Sequence, residues 1–288
     1  MPADEHPSDP TQRTPLAPLL AKATSDLVAA GVDSPRADAE WLAAHVLGVN
    51  RGRLMLIDSV RDIERRRFTD LVAQRARRIP LQHLLGTAAF RHLELAVGDG
   101  VFVPRPETEL LAGWGIEHTA PGATVVDLCS GSGAIALSVA DESPAARVIA
   151  VERSPAALVW LRRNAARFPQ VRIVEGDVTD PALLSGTRAD VLLCNPPYVP
   201  DGTPVPPEVS DHDPAEAVFG GPDGLILVRP VIKLAAALLK PGGVVGIEHD
   251  DVHADAVPDL LRADGRFGEV VEHDDLSGRP RYATARRR

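Results

Sequence analysis

The sequence predicts an α/β protein: a seven-stranded, mostly parallel sheet with helices on both faces, preceded by a small N-terminal helical bundle. Three observations support this. From Thr124 onward, β-branched apolar runs alternate with helical stretches, as in a parallel sheet covered on both sides. Within 124–141, one strand passes through two glycines into Ala-rich helical sequence. Before residue 80, apolar residues recur at helical spacing.

The elements fall into four consecutive segments. Residues 1–14 are polar and rich in proline, which predicts a disordered tail. The helical spacing predicts an N-terminal bundle of three helices over 15–80, and short alternating runs with glycines predict a β-hairpin linker over 81–103. The sheet domain is expected over 104–288. Its strands are predicted near 124–128, 147–152, 172–175, 189–194, 243–248, 269–273 and 280–285, and its helices near 133–141, 155–167, 224–239 and 253–263.

Composition excludes several classes of protein. A length of 288 residues allows two domains, and a net charge of −9 argues against a large duplex DNA footprint, which needs a basic face. No apolar run has the length of a membrane span, and the N-terminus lacks a signal-peptide core. We therefore expect a cytoplasmic protein without membrane contact.

The chain has two cysteines, Cys129 and Cys194. Two cysteines cannot build a secreted disulfide framework or a cysteine zinc site. Both sit at the ends of strands that would be neighbours, so a disulfide is conceivable, but in a reducing compartment we expect two free thiols.

The stretch over 189–198 ends a buried strand with Asn195, Pro196, Pro197 and Tyr198. An asparagine amide both accepts and donates hydrogen bonds, and two prolines stiffen the backbone beside it. The Asn195 oxygen and the Pro196 carbonyl could hold the two N–H groups of a planar amide or amine, with Tyr198 stacked behind it. Taken alone, the run is equally typical of a Pro-rich strand exit.

A second motif, over 124–137, has the strand, glycine turn and helix of a Rossmann-like nucleotide-binding unit. It is neither a dinucleotide fingerprint nor a P-loop, because the third glycine and the Gly-Lys-Ser/Thr run are absent. Glu152 ends the next strand, 19 residues beyond Gly133 (152 − 133), where an acid suits ribose hydroxyls. Asp177 follows a third strand and could accept from an adenine amine.

Together these motifs resemble the class I S-adenosylmethionine-dependent methyltransferases that act on planar nitrogens. The runs over 103–109 and 220–225 are similar to the release factor glutamine methyltransferases. The resemblance implies a seven-stranded methyltransferase sheet with a final antiparallel strand inserted at one edge. It also implies S-adenosyl-L-methionine as cofactor, bound by Asp127, Cys129, Gly131, Gly133, Glu152, Asp177, Val178 and Asn195.

The resemblance implies further that Asn195, Pro196, Pro197 and Tyr198 are catalytic. These four, with Pro104, Arg105 and Glu107, would bind the substrate, the Gly-Gly-Gln glutamine of class I peptide-chain release factors. The N-terminal bundle would recognise that protein, and we expect a monomer. Departures from the family pattern are His83 and the pair His249 and Asp250.

Two polar segments remain. The loop over 199–221 follows the asparagine motif directly, so we interpret it as part of the substrate mouth. The segment 248–253 contains acids and histidines, but methyl transfer from a sulfonium needs no Lewis acid. We therefore favour a solvated loop there and expect no metal.

Other functions stay open at this point. The pair of acceptors formed by the Asn195 oxygen and the Pro196 carbonyl, called the amide grip below, would also suit a glutamine of a ribosomal protein. It would equally suit the exocyclic amine of adenine in DNA or RNA, although a flipped base usually needs a basic channel. A binding module without catalysis is the third possibility, and the complete asparagine motif argues against it.

Overall fold

A computed structural model describes residues 13–288, so residues 1–12 of the predicted tail lie outside the described residues. The chain divides into two compact units, one ending at Gly86 and the other beginning at Thr87. Within the described part of the chain, no helix has the length and apolar character needed to cross a membrane.

The first unit is helical, with one short pair of antiparallel strands. Its core is built around leucines such as Leu27 and Leu42, which are fully buried. A buried ion pair of 2.7 Å between Arg75 and Asp38 joins two of its helices. In chain order the elements are β1 (Arg13–Pro15), α1 (Leu16–Ala29), α2 (Pro35–Leu47), a 3-10 turn (Arg51–Leu56), β2 (Ser59–Arg61), α3 (Asp62–Ala76) and α4 (Leu81–Leu85).

The predicted helices of this bundle agree with α1, α2 and α3 to within about two residues. Two details differ from the sequence interpretation. Arg13 and Thr14, placed in the tail, pair with the strand Ser59–Arg61. The segment 81–85, placed in the hairpin linker, forms a short helix that ends at Gly86, where the positive φ of 73° suits a glycine.

The second unit begins with a hairpin and continues as alternating strands and helices. The elements are β3 (Thr87–Phe90), β4 (Leu93–Ala96), α5 (Thr108–Glu117), β5 (Thr124–Leu128), α6 (Ala134–Glu142), β6 (Arg147–Glu152), α7 (Pro155–Ala165), β7 (Val171–Glu175), β8 (Ala189–Cys194), α8 (Pro207–Ser210), α9 (Ala215–Val218), α10 (Val228–Leu238), β9 (Leu239–Glu248), α11 (Ala256–Asp264), β10 (Phe267–Asp274) and β11 (Pro280–Arg287).

The main sheet has seven strands in the order β7-β6-β5-β8-β9-β11-β10. The first five in that order are parallel, and β11 runs antiparallel between β9 and β10. The predicted mostly parallel sheet with an inserted antiparallel strand is therefore confirmed. Chain order reverses at β5, which pairs with both β6 and β8, and such a switch point opens a crevice at the carboxyl ends of the strands.

Successive residues of each central strand face opposite sides of the sheet. Val126 and Leu192 point into the core that includes α10, whereas Val125 and Leu193 point into the core that includes α6 and α7. All four side chains are fully buried. Burial on both faces explains why these strands have continuous apolar sequences, and it fixes the register that brings Leu128 beside Cys194.

Candidate active site

A cleft of about 300 Å³ opens at the carboxyl ends of the parallel strands. Most of the residues that the sequence predicts for a site lie along it, although they come from distant parts of the chain. The predicted residues that line the cleft are Pro104, Arg105, Asp127, Cys129, Gly131, Glu152, Val178, Asn195, Pro196, Pro197 and Tyr198. Glu107, Gly133 and Asp177 do not line it.

The turn after β5 bends sharply and exposes backbone to the cleft. Cys129 has φ of +60° and Gly131 has φ of +55°, a region that glycine adopts without strain. No atom lies within 4 Å of the place that a Cβ on Gly131 would occupy. The turn therefore leaves open space beside the backbone, which a ligand can fill.

Asp127 lies beneath this turn and is 1% exposed. Its Oδ2 accepts from the Ala136 backbone N–H at 3.2 Å, while among the described residues its Oδ1 has no hydrogen-bond partner. Burial raises the pKa of Asp127 from its ordinary 3.8 to about 7. A buried, half-satisfied carboxyl at a cleft is typical of a site that awaits a donor or a cation.

Glu152 at the end of β6 organises the neighbouring backbone. Its Oε2 accepts from the Gly131 N–H at 2.8 Å, and its Oε1 accepts from the N–H groups of Arg153 and Ser154, also at 2.8 Å. The carboxylate thus ties the glycine turn to the start of α7. The proposed contact with a ribose would use the lone pairs that remain.

Asp177 and Gly133 stand apart from the other predicted cofactor residues. Asp177 Oδ1 accepts from the N–H and hydroxyl of Thr179 at 2.8 Å, and these bonds lower the pKa of Asp177. Its backbone neighbours Gly176 and Val178, rather than Asp177 itself, line the cleft. A Cβ on Gly133 would lie 2.7 Å from Leu161 Cδ1, so this glycine serves close packing behind the turn.

Asn195 is held by a hydrogen-bonded chain that begins at α5. Its Nδ2 donates to Thr108 Oγ1 at 3.1 Å, and Thr108 Oγ1 donates to Glu248 Oε1 at 3.1 Å. The Tyr198 hydroxyl donates to the same Glu248 oxygen at 3.2 Å. Among the described residues no hydrogen bond is made to Asn195 Oδ1, so this oxygen is the acceptor that the chain offers to a ligand.

Glu248 ends β9 and is 1% exposed. Burial raises the pKa of its carboxyl to about 7, although the bonds from Thr108 and Tyr198 and the charge of Arg281 oppose that shift. Burial also raises the pKa of the Tyr198 hydroxyl, which keeps it protonated and donating. Arg281 of β11 lines the cleft nearby, and its buried Nε has no hydrogen-bond partner among the described residues.

The loop over 199–221 folds back onto the asparagine motif. Val199 donates its N–H to Val218 at 3.0 Å and accepts from Gly220 at 2.9 Å, and the loop contains the two short helices α8 and α9. Arg105 forms an ion pair with Asp213 of this loop. Glu107 occupies the position before α5, where its side chain makes no capping hydrogen bond, and it does not line the cleft.

The segment 248–253 is only partly the solvated loop that the sequence predicted, because Asp251 and Val252 are exposed but three other residues are buried. Glu248, His249 and His253 are at most 5% exposed. The ring nitrogens of His249 bond to Asp250 and Glu272, and His253 Nε2 bonds to the Asp223 carbonyl at 2.9 Å. These partners satisfy both ring nitrogens of His249 and one of His253, whereas His253 Nδ1 and Glu248 Oε2 have no hydrogen-bond partner among the described residues. Cys129 and Cys194 are free thiols, as expected.

Sequence reasoning missed Thr108, Glu248 and Arg281. Glu248 carried a usable signal, because an acid at the end of a central strand is the same pattern that identified Glu152. Thr108 carried none, since its role depends on a partner 140 residues away.

Comparisons with known proteins agree with this geometry. The PrmC N-terminal domain family matches residues 18–86, and the methyltransferase small domain family matches residues 108–206. The 16S rRNA N2 G1207 methyltransferase of T. thermophilus, solved with AdoMet and guanosine, has a TM-score of 0.51 and 24% identity. That match covers 70% of this chain and 50% of the other, and it shows the fold. The sheet, the cleft and these matches define an α/β methyltransferase.

Two curated relatives show to which family of methyltransferases the chain is similar. The release factor glutamine methyltransferase of Mycolicibacterium smegmatis is 52% identical over 277 residues, which are 95% of this chain and 98% of the relative. The 4-amino-L-phenylalanine/4-methylamino-L-phenylalanine methyltransferase of Streptomyces pristinaespiralis is 42% identical over 270 residues, 88% of this chain and 90% of the relative. The chain belongs to the release factor glutamine methyltransferase family.

Proposed function

We propose that the protein transfers a methyl group from S-adenosyl-L-methionine to the side-chain amide nitrogen of the Gly-Gly-Gln glutamine in class I peptide-chain release factors. The orientation of Asn195 carries the proposal. Because Nδ2 donates to Thr108, Oδ1 of the same planar amide lies on the opposite side and can accept an N–H from a second planar amide. The relative from M. smegmatis supports this substrate class. From this proposed substrate we infer that the enzyme works in the cytoplasm.

The residues present fit the proposed cofactor. The unpartnered oxygen of Asp127 and the carboxylate of Glu152 suit a ligand with a positively charged amine and ribose hydroxyls, and the space beside Gly131 admits it. Cys129, Val178 and Asn195 line the same cleft, with Asp177 beside it. When bound, S-adenosylmethionine supplies a methyl carbon attached to a positively charged sulfur.

Catalysis by this chain then rests on orientation and electrostatics. The lone pair of an amide nitrogen is delocalised into its carbonyl, so the nitrogen is a poor nucleophile. Asn195 Oδ1 and the Pro196 carbonyl would accept its two N–H groups and favour the positive charge that grows on nitrogen, which stabilises the transition state more than the bound substrate. The proton can leave to water after the carbon–nitrogen bond forms, so no strong general base is required.

We also propose that the first unit recognises the protein substrate. Met55 and Leu56, on the turn Arg51–Leu56, are 87% and 77% exposed. Adjacent exposed apolar side chains are typical of a protein contact.

The test is methylation of a purified class I release factor with labelled S-adenosylmethionine, followed by mass spectrometry of the product. We expect one methyl group on the Gly-Gly-Gln glutamine, and none on a release factor in which that glutamine is replaced by alanine. Parallel reactions test the alternative substrates, which are ribosomal protein, adenine-containing DNA and RNA, and 4-amino-L-phenylalanine. Efficient methylation of one of these, with none on the release factor, would overturn the proposal.

A further inference from the structure

We propose that Thr108 and Glu248 are positioning residues that determine which end of the Asn195 amide faces the substrate. This inference rests on the proposed function, because it concerns the same amide grip. It assigns roles to two side chains that the proposed catalytic scheme does not use: Thr108, which lines the cleft, and Glu248, which does not. Both are buried: Thr108 is 3% exposed and Glu248 is 1% exposed.

The direction of the hydrogen bonds carries the argument. An ionised carboxylate only accepts, so the single hydroxyl proton of Thr108 is given to Glu248 Oε1. The Thr108 oxygen is then left as an acceptor, and the group that donates to it must be the Asn195 nitrogen. The amide oxygen is consequently fixed on the other side. A reversed amide would present its own N–H groups to the N–H groups of the substrate, which is repulsive.

The same Glu248 oxygen also accepts from Tyr198, so one atom anchors both ends of the asparagine motif. Burial strengthens this arrangement, because little water competes for the bonds in a low-dielectric interior. Every hydrogen bond in this chain is therefore donated in one direction, from the cleft toward Glu248 at the end of β9.

Protonation of Glu248 would reverse this polarity. A protonated carboxyl can donate to the Thr108 oxygen, which frees the Thr108 hydroxyl to donate to Asn195 Oδ1 and occupy the acceptor. Since burial places the pKa of Glu248 at about 7, turnover should rise with pH through neutrality. The charged and titratable groups around Glu248 are Arg281 on β11, Glu107 ahead of α5, Cys194 at the end of β8, and Tyr198 in the segment that follows β8.

The kinetic test is Thr108→Val, which keeps the shape of the side chain and removes the hydroxyl. We expect the turnover number on the release factor to fall about tenfold, with KM and cofactor affinity changed less than about twofold. Thr108→Ser should restore turnover to within about threefold of wild type. Thr284→Val is the matched control, because Thr284 is 4% exposed, lies in the same unit and bonds to His273 instead.

A spectroscopic test does not depend on activity. The chain has three asparagines, Asn50, Asn164 and Asn195, so ¹⁵N-asparagine labelling gives three side-chain amide signals. Thr108→Val should move the Asn195 signal and leave the other two in place. An unmoved Asn195 signal in the folded variant would overturn the inference.

The pH test uses Glu248→Gln. At saturating S-adenosylmethionine, where the titration of Asp127 does not affect the rate, wild-type turnover should rise between about pH 6 and pH 8. The variant should lose that rise because glutamine does not titrate. If the wild type methylates the release factor and Thr108→Val has full turnover, the positioning role is rejected and the proposed function still holds. Absence of methylation by wild type would reject the proposed function itself.

Discussion

The Arg105 guanidinium lies 2.6 Å from Asp213 Oδ2, and this ion pair joins the segment ahead of α5 to the loop that follows Tyr198. The Asp213 side chain is only 2% exposed, and it also accepts from the Val103 N–H at 3.4 Å. Burial raises the pKa of Asp213 even with Arg105 beside it. Removing the cation therefore leaves a buried carboxyl without its main partner.

We expect Arg105→Ala to lower the free energy of unfolding by about 1–3 kcal/mol. In a double-mutant cycle with Asp213→Asn, the two changes should be coupled by at least about 1 kcal/mol. Urea unfolding followed by circular dichroism measures both. Arg262→Ala removes an exposed ion pair of the same unit and should cost less than about 1 kcal/mol. Strictly additive effects at Arg105 and Asp213 would show that the pair does not hold the loop.

Asp127 gives a pH prediction for cofactor binding. Because burial places its pKa at about 7, the carboxyl is mostly neutral at pH 6 and mostly ionised at pH 8. A positively charged ligand prefers the ionised form, so affinity for S-adenosylmethionine should rise up to about tenfold over that interval. Asp127→Asn should bind more weakly and lose the pH dependence, while the nearby acid Glu152 remains. Calorimetry at both pH values measures this affinity. An affinity of the wild type that does not change with pH would contradict the assignment of Asp127 to the cofactor site.

Glu152→Ala removes the acceptor for three backbone N–H groups and for the proposed ribose. We expect cofactor binding to weaken by roughly 1.5–3 kcal/mol, the scale of hydrogen bonds to a charged group. Glu175→Ala is a matched control, since Glu175 is the register partner of Glu152 on β7 and does not line the cleft. Equal affinities for wild type and Glu152→Ala, measured by calorimetry, would remove Glu152 from the site.

Asn195→Ala should lower the turnover number by roughly 10²-fold, the effect of losing one preorganised polar group. Cofactor affinity should change little, because the carboxylates hold that ligand. Single-turnover kinetics with a release factor measures the step directly. Near wild-type turnover would mean that the amide grip is not catalytic and that the motif is a strand exit.

The apolar turn of the first unit gives the fifth prediction. Replacing Met55 and Leu56 together by serine should raise KM for the release factor about tenfold or more, with little change in cofactor affinity. Leu276→Ser is the control, because Leu276 is 94% exposed in the second unit. Steady-state kinetics with the whole release factor separates the two variants. An unchanged KM in the double variant would remove this turn from the recognition surface.

Much of the fold was predictable because each central strand is apolar on both faces. Runs such as Val191–Cys194 cannot be surface segments, and their alternation with helices leaves few other architectures. The cleft residues at strand ends, among them Glu152 and Asn195, followed from the same reasoning. The boundaries of α10 and of the strand Leu239–Glu248 were less accurate, since apolar residues continue across that junction.

The rest of the site could not be predicted locally. The contact between Thr108 and Glu248 joins distant parts of the chain, and no periodicity reports it. His249 and His253 were misjudged because their side chains are polar, although specific partners allow them to be buried. Asp177 has the expected position after its strand, but its Oδ1 accepts from the N–H and hydroxyl of Thr179 and so stabilises the local turn.

The placement of β11 links the shape of the cleft to the folding of the sheet. This strand, Pro280–Arg287, pairs with β9 and sets Tyr282 opposite Glu248. Arg281 on the same strand lines the cleft. Without β11, β9 would have an open edge, and the acid that anchors Asn195 and Tyr198 would have no neighbour on that side. Assembly of this cleft therefore depends on pairing between strands that are separate in sequence, and such non-local pairing is a slow step of folding.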